Sequence, residues 1–156
     1  MRGKVFSRVR RWHRDTYGGV MVEFAVSCSV FLLLLSGIMD LGHAFYMDQV
    51  VTNASREGAR YGITYQTNTS GNRIAPSSLP VSIQSYLLNT YLANTLLPPD
   101  ANPQVTVTGP GYTTGNKGAD LEVTVSATKT WFVLDNFIPG FSEQLNLAAT
   151  TVMKCE

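Results

Sequence analysis

Apolar residues crowd the first third of the chain. Residues 20–39 form an apolar run that contains a single charge, Glu23. At about 1.5 Å per helical residue, these roughly twenty residues reach about 30 Å, the thickness of the hydrocarbon core of a bilayer. The pattern therefore predicts a membrane-spanning helix.

The apolar pattern changes after residue 39 but does not stop. Apolar residues continue at spacings of three and four among polar ones, which is typical of an amphipathic helix. They are Leu41, Phe45, Met47, Val50, Val51 and Ala54. We therefore expect one long helix over residues 19–65, apolar on all sides in its first part and amphipathic in its second.

The remaining residues, 66–156, have the pattern of a small folded domain. Residues 66–76 are polar and rich in turn formers, which indicates a loop. A second helix follows, capped by Ser77 or Ser78 with Pro80 in its first turn, and it ends before Pro98. Its apolar face comprises Ile83, Leu87, Leu88, Tyr91, Leu92 and Leu96.

Alternating residues predict the sheet on which this helix packs. Residues 104–109 and 120–128 alternate between apolar and polar and form a hairpin around a turn at residues 112–118. Residues 144–153 read as a last strand; residues 131–134 either prolong the second strand or form a separate short piece, and residues 137–141 form a loop. The fold class is therefore α+β: a long N-terminal helix, then a small antiparallel sheet of three or four strands with one packed helix.

Charge separates the first residues from the rest. Residues 1–17 hold six Lys and Arg residues and one Asp, a net charge of +5, whereas the whole chain carries only +1. A nucleic-acid-binding arm usually extends from a folded domain or carries stacking aromatics, so we expect no nucleic acid partner. A basic cluster next to an apolar span instead predicts a cytoplasmic leader at residues 1–18, with the chain beyond about Asp40 across the membrane.

The junction between leader and span holds a recognisable pattern. Gly18 and Gly19 give a backbone that a protease can hold extended, and Glu23 and Phe24 follow. The simpler interpretation is a helix N-terminus with an acidic residue well placed on the helix dipole. This segment resembles the processing motif of prepilins in the Tad (tight adherence) branch of the type IV pilus systems. Residues 37–42 (GIMDLG), 44–46 (AFY) and 53–61 (NASREGARY) are similar to hallmark segments of the TadE-like family.

The resemblance implies a pilin-like architecture and function. It implies a minor pilin or pseudopilin in the bacterial inner membrane, with a periplasmic domain and possible entry into an extracellular pilus. The implied partners are other pilin subunits, a prepilin peptidase that cuts between Gly18 and Gly19, and the Tad assembly platform. Glu23 and Phe24 would act in helix assembly. The alternative is an unprocessed, single-pass, signal-anchored periplasmic binding module.

Two glycines in the span allow close helix approach. Gly37 and Gly42 have no side chain to hold a partner helix away, although small residues are also ordinary in a span. Asp40, His43 and Met47 share one helix face, but one His and one carboxylate are too few ligands for a metal site.

Enzymatic chemistry has little support in the sequence. The domain at residues 66–156 contains no histidine, and it has no phosphate-binding loop and no Ser, His and Asp arrangement, so we predict no catalytic residues, no metal, no cofactor and no small-molecule substrate. Cys28 lies in the span and Cys155 lies in the folded domain, so they should not pair. Cys155 is either a candidate for an intermolecular disulfide or a free thiol.

Overall fold

The computed structural model describes residues 16–64, 66–133 and 144–156. Residues 1–15 of the leader expected at residues 1–18, and the loop expected at residues 137–141, lie outside this part of the chain. The chain divides into two compact units, Met1–Ser36 and Gly37–Glu156. The architecture is α+β, as the sequence predicts: a long N-terminal apolar helix followed by a small antiparallel sheet and short helices.

Helix α1 runs over Thr16–Ile63 and confirms the long helix expected from the apolar pattern. Two of its serines bond within the helix: Ser29 Oγ donates to the Ala25 carbonyl and Ser36 Oγ to the Leu32 carbonyl, both at 2.8 Å. Such bonds let a hydroxyl sit in an apolar helix without an unsatisfied polar group. The first part of α1 therefore presents an almost purely apolar surface.

The sheet has three antiparallel strands in the order β1, β2, β3. They are β1 (Gln104–Thr108), β2 (Asp120–Thr130) and β3 (Gln144–Lys154). Val125 of β2 lies between Val105 of β1 and Ala149 of β3. The predicted faces of β2 are confirmed, because Leu121, Val123 and Val125 are buried while the residues between them are only partly covered.

The core of the second unit forms where the amphipathic part of α1 packs on the inner face of the sheet. The buried residues of α1 follow the three- and four-residue spacing: Met47, Val50, Val51, Ala54 and Ala59. Two glycines allow the close approach. A Cβ at Gly58 would lie 2.5 Å from Leu87 Cδ1, and one at Gly62 would lie 2.5 Å from Leu121 Cδ2.

The second helical segment differs from its predicted form. It begins as α2 (Ile83–Tyr86), continues as one π-helical turn at Leu87–Tyr91 and ends as a 3₁₀ turn at Leu92–Asn94. Ser82 caps it, since its side chain accepts a hydrogen bond from the Ser85 N–H at 3.1 Å. The predicted cap at Ser77 or Ser78 is wrong, because those residues belong to a separate 3₁₀ turn, Pro76–Ser78.

Two further local features correct the predicted hairpin. The connection between β1 and β2 contains a one-turn helix, α3 (Pro110–Thr114), with Gly109 before it and Gly115 after it at positive φ. Strand β2 ends at Thr130, so the described part of residues 131–134 is not strand. The backbone there turns to hydrogen-bond with Asp40 instead.

Candidate functional site

The predicted processing and assembly residues all lie on the first two turns of α1 that follow Tyr17. Gly18, Gly19, Glu23 and Phe24 are exposed, and a Cβ at either glycine would meet no atom within 4 Å. The glycines are therefore not needed for packing within the described chain. Their side of the helix is open to an external partner.

The whole first part of α1 shares this exposure. From residue 20 to residue 35 every side chain is exposed except Cys28, which is half-buried. By length and composition Gly18–Ile63 qualifies as a membrane-crossing helix, with a mean hydropathy of 2.1 over its most apolar stretch and none of that stretch buried. This surface has the chemistry of a helix that contacts lipid or other apolar helices.

The second unit contains a buried ion pair that sequence reasoning did not find. Lys129 Nζ lies 3.4 Å from Asp40 Oδ1, and the side chains are 0% and 1% exposed. Asp40 also accepts hydrogen bonds from the backbone N–H groups of Phe132 and Val133, each at 3.0 Å. The Asp40 carboxylate thus holds the chain that leaves β2 against α1.

Aromatic rings complete the surroundings of the Lys129 ammonium. Its Nζ lies 4.4 Å from the centre of the Phe132 ring and 5.1 Å from that of Trp131, and it also donates to the Thr130 carbonyl. Rings at this distance attract a cation. The alternation of β2 contained a signal for this site, since Lys129 falls on the same face as Leu121, Val123 and Val125. A lysine on an inward position calls for a buried counter-charge.

The face formed by Asp40, His43 and Met47 is used for packing. Met47 is fully buried, and the His43 ring lies 5.4 Å from that of Phe132. Within the described residues, no three His, Cys, Asp or Glu side chains stand close enough together to hold a metal ion.

Exposed apolar residues lie around the end of the second unit that contains the Asp40–Lys129 pair. Phe45 and Tyr46 of α1 are exposed, and Tyr46 Oη accepts a hydrogen bond from the Leu96 N–H at 3.0 Å. Phe132 is exposed on the chain that leaves β2. We call this surface the apolar collar: Ile38, Leu41, Phe45, Leu96 and Phe132.

The glycines and cysteine singled out from sequence have different surroundings. Gly42 is exposed with nothing near its Cβ position, and Gly37 is half-buried, so their predicted role against a partner helix stays a prediction. Cys155 is 2% exposed, and its Sγ donates to the Gly111 carbonyl at 3.7 Å. This burial favours the free thiol, because a bridge to a second chain requires the C-terminal residues to move.

Two side chains outside α1 have shifted acidities. A hydrogen bond from the Thr130 hydroxyl, helped by the backbone N–H of Asp100, lowers the pKa of the Asp100 carboxyl. Burial raises the pKa of the Tyr86 hydroxyl, and the neighbouring Glu57 carboxylate adds to the rise. Neither group has the surroundings of an acid or base poised near neutral pH.

Comparison with known proteins gives one match. No curated protein and no solved structure matches the chain. The family model described as TadE-like protein matches residues 18–60. The matched segment runs from the exposed Gly18 to Arg60 and includes Met47, Val51 and Ala54 of the buried core. The resemblance read from the sequence is thereby confirmed, and over residues 18–60 this chain is similar to TadE-like proteins.

Proposed function

We propose that this chain is a minor pilin or pseudopilin-like subunit that takes part in the assembly of a Tad-type adhesive pilus. The TadE-like match implies a protein associated with the Tad pilus, and that match is the observation that carries the proposal. The first part of α1 anchors the subunit in the bacterial inner membrane, with its N-terminus in the cytoplasm. The second unit lies in the periplasm.

The exposed surface of α1 supports a role in assembly. An apolar helix surface that finds no partner in its own chain needs lipid or the helices of other subunits around it. A subunit that can exchange one for the other can leave the membrane and join a filament. The first part of α1 has the composition for both surroundings.

Glu23 supplies the specificity that apolar contacts lack. A carboxylate at the bilayer centre costs on the order of 3 kcal/mol on insertion scales, but Glu23 lies near the start of the run and can reach toward the interface. Cleavage after Gly18 would create an α-amine on Gly19, four residues before Glu23. The amine of an incoming subunit can then pair with Glu23 of a neighbour and set the axial register.

Processing is tested at Gly18. Gly18→Val should abolish cleavage, because a branched side chain puts bulk next to the bond to be cut, where glycine leaves the backbone open to the peptidase. Gly42→Val is the matched control, since its Cβ also meets nothing within 4 Å. Mass spectrometry of the N-terminus, in cells with and without the prepilin peptidase, should show a start at Gly19 only when peptidase and Gly18 are both present. An uncut wild-type N-terminus in competent cells would support the unprocessed binding module.

Assembly is tested at Glu23. Glu23→Gln should leave insertion intact, permit some cleavage and reduce both co-purification with partner pilins and surface piliation. Asp48→Asn is the control, because Asp48 is another exposed carboxylate of the same helix. Equal assembly by wild type and Glu23→Gln would mean that Glu23 only complements the helix dipole.

A further inference from the structure

We propose that the apolar collar is immersed in the periplasmic leaflet of the membrane, so that the second unit is partly embedded in lipid. This inference rests on the membrane anchoring proposed above. It concerns a different surface, because the collar belongs to the second unit and includes residues far from α1 in sequence.

Exposure gives the first argument. Phe45, Leu96 and Phe132 are 74%, 82% and 62% exposed, although each belongs to a unit that has a sheet and a core available to cover apolar groups. The hydrogen bonds of Leu96 to Tyr46 and of Phe132 to Asp40 place both residues beside the stretch of α1 that carries Phe45. Exposed apolar side chains brought together in this way mark a surface that meets something other than water. The three residues come from α1, from the chain after residue 94 and from the chain after β2.

The length of the apolar surface gives the second argument. The exposed face of α1 stays apolar to Phe45 and becomes polar at Asp48 and Gln49. If Glu23 marks the cytoplasmic boundary, residues 24–45 reach about 33 Å at about 1.5 Å per residue, close to the thickness of the hydrocarbon core. The outer boundary then lies near Phe45. Phe132 lies on the membrane side of it, because its backbone N–H bonds to Asp40.

The buried ion pair explains how the end of the second unit that carries Asp40 can be immersed in lipid although Asp40 is charged. A free carboxylate at Asp40 would oppose immersion, since charge in the hydrocarbon region is costly. Asp40 instead pairs with Lys129 and two backbone N–H groups, inside the protein. Lipid therefore meets the apolar and aromatic residues around the pair and not the pair itself, and the exposed Asp100, which accepts a hydrogen bond from Thr130, lies at the level of the headgroups. Aromatic rings are favoured at the membrane interface.

Lipid fits the collar better than a protein partner does. Its residues come from three separate elements and continue the apolar surface of α1 without a polar gap in the exposed face up to Phe45. A bilayer contacts every apolar group at one depth, whatever element carries it. The collar therefore indicates how deeply the second unit is immersed in the bilayer.

The test places a single tryptophan at chosen depths in the full-length chain. Trp12→Phe and Trp131→Phe remove both native tryptophans, and Phe132→Trp adds the reporter. The chain is reconstituted in vesicles of phosphatidylethanolamine and phosphatidylglycerol that carry bromine on the acyl chains. Val81→Trp is the matched control, because Val81 is also exposed but its carbonyl accepts a hydrogen bond from Tyr61, at the other end of α1. Leu32→Trp reports on the span.

The expected result is several-fold stronger quenching by brominated lipid at Phe132→Trp than at Val81→Trp, with the reverse order for aqueous acrylamide. If Leu32→Trp is quenched by brominated lipid and Phe132→Trp behaves like Val81→Trp, the collar stands in water and this inference fails while the anchoring stands. If Phe132→Trp is shielded from both quenchers, a protein covers it, and the inference also fails. If Leu32→Trp is not quenched by lipid, anchoring and inference fail together.

A second measurement does not depend on substitutions in the second unit. In the Trp12→Phe chain, native Trp131 is the only tryptophan and the second unit keeps its natural sequence. Quenching of Trp131 by lipid brominated near the headgroup supports immersion. Quenching by acrylamide alone overturns it.

Discussion

The two parts of α1 are both apolar, yet they have opposite surroundings. From residue 20 to residue 35 the side chains are exposed on all sides, apart from the half-buried Cys28. From Asp40 onward one face is buried, including Met47, Val51 and Ala54 at 0% exposure. Apolar residues without a period serve an external apolar surface, whereas apolar residues at spacings of three and four serve the chain's own core.

Glu23 in the first part of α1 and Asp40 in the second also differ in their surroundings, since one is exposed and the other is buried. Glu23 is exposed. Asp40 is enclosed, with Lys129 and two backbone N–H groups as partners. A carboxylate of α1 is therefore either left exposed, as Glu23 is, or enclosed together with a counter-charge and hydrogen-bond donors, as Asp40 is.

The largest expected effect comes from removing Asp40. Asp40→Ala leaves the Lys129 ammonium buried without its counter-charge, and breaking a buried pair in this way costs roughly 3–5 kcal/mol of unfolding free energy. Lys154→Met is the control, since its pair with Asp120 is exposed and worth less than about 1 kcal/mol. Denaturant unfolding in detergent, followed by Trp131 fluorescence, measures both. Equal losses would mean that the buried pair does not hold α1 to β2.

The next effect separates two methionines of one helix. Met47→Ala deletes a fully buried side chain, which typically costs about 2–5 kcal/mol of unfolding free energy. Met21→Ala alters an exposed side chain and should change the stability of the second unit by less than about 0.5 kcal/mol. The same denaturant assay applies. A comparable loss at Met21 would show that the first part of α1 also contributes to the fold.

A smaller effect distinguishes two glycines. At Gly58 an added Cβ would lie 2.5 Å from Leu87 Cδ1 and 3.2 Å from Val123 Cγ1, so Gly58→Ala should cost about 1–3 kcal/mol through overpacking. At Gly42 the space is open, and Gly42→Ala should stabilise the helix by up to about 1 kcal/mol. Thermal unfolding should show a lower melting temperature for Gly58→Ala and a higher one for Gly42→Ala. A stabilised Gly58→Ala variant would mean that the Leu87 side chain moves aside freely.

The smallest effect reports on the electrostatics at the end of the sheet that carries Lys129. The Thr130 hydroxyl lowers the pKa of Asp100, so the folded state binds fewer protons there than the unfolded state. The resulting stability is present above the ordinary pKa of aspartate and is lost as the pH falls through the lower folded value. Thr130→Val should raise the pKa of Asp100 in an NMR titration. Thr128→Val, on the same strand, should leave it unchanged.

Most of the fold could be predicted from patterns among residues that are close together in the sequence. The apolar run and its change of period predicted α1, and alternation predicted β1, β2 and β3 with the inward face of β2. These features depend on residues a few positions apart. The cap of α2 was misplaced because several serines precede it, and only the packing of Ile83 and Leu87 on the core selects Ser82.

Contacts between distant residues could not be predicted in the same way. Asp40 and Lys129 are 89 residues apart, and no local period links them. Gly58 and Gly62 resemble other glycines until Leu87 and Leu121 are placed beside them. At the candidate site, Gly18, Glu23 and Phe24 were read from sequence because their pattern is local. The apolar collar needed the structure, since three separate elements form it.

The sequence separation of Asp40 and Lys129 also determines how long α1 waits for β2 while the chain is being synthesised. During synthesis at about 5–20 residues per second, Lys129, which lies 89 positions after Asp40, emerges roughly 4–18 s later. Throughout that interval the face of α1 that bears Met47 and Val51 has no β2 to cover it. If the second unit lies in the periplasm, as proposed, the chain crosses the membrane before this apolar helix face has its sheet, and the face needs protection from water until β2 arrives.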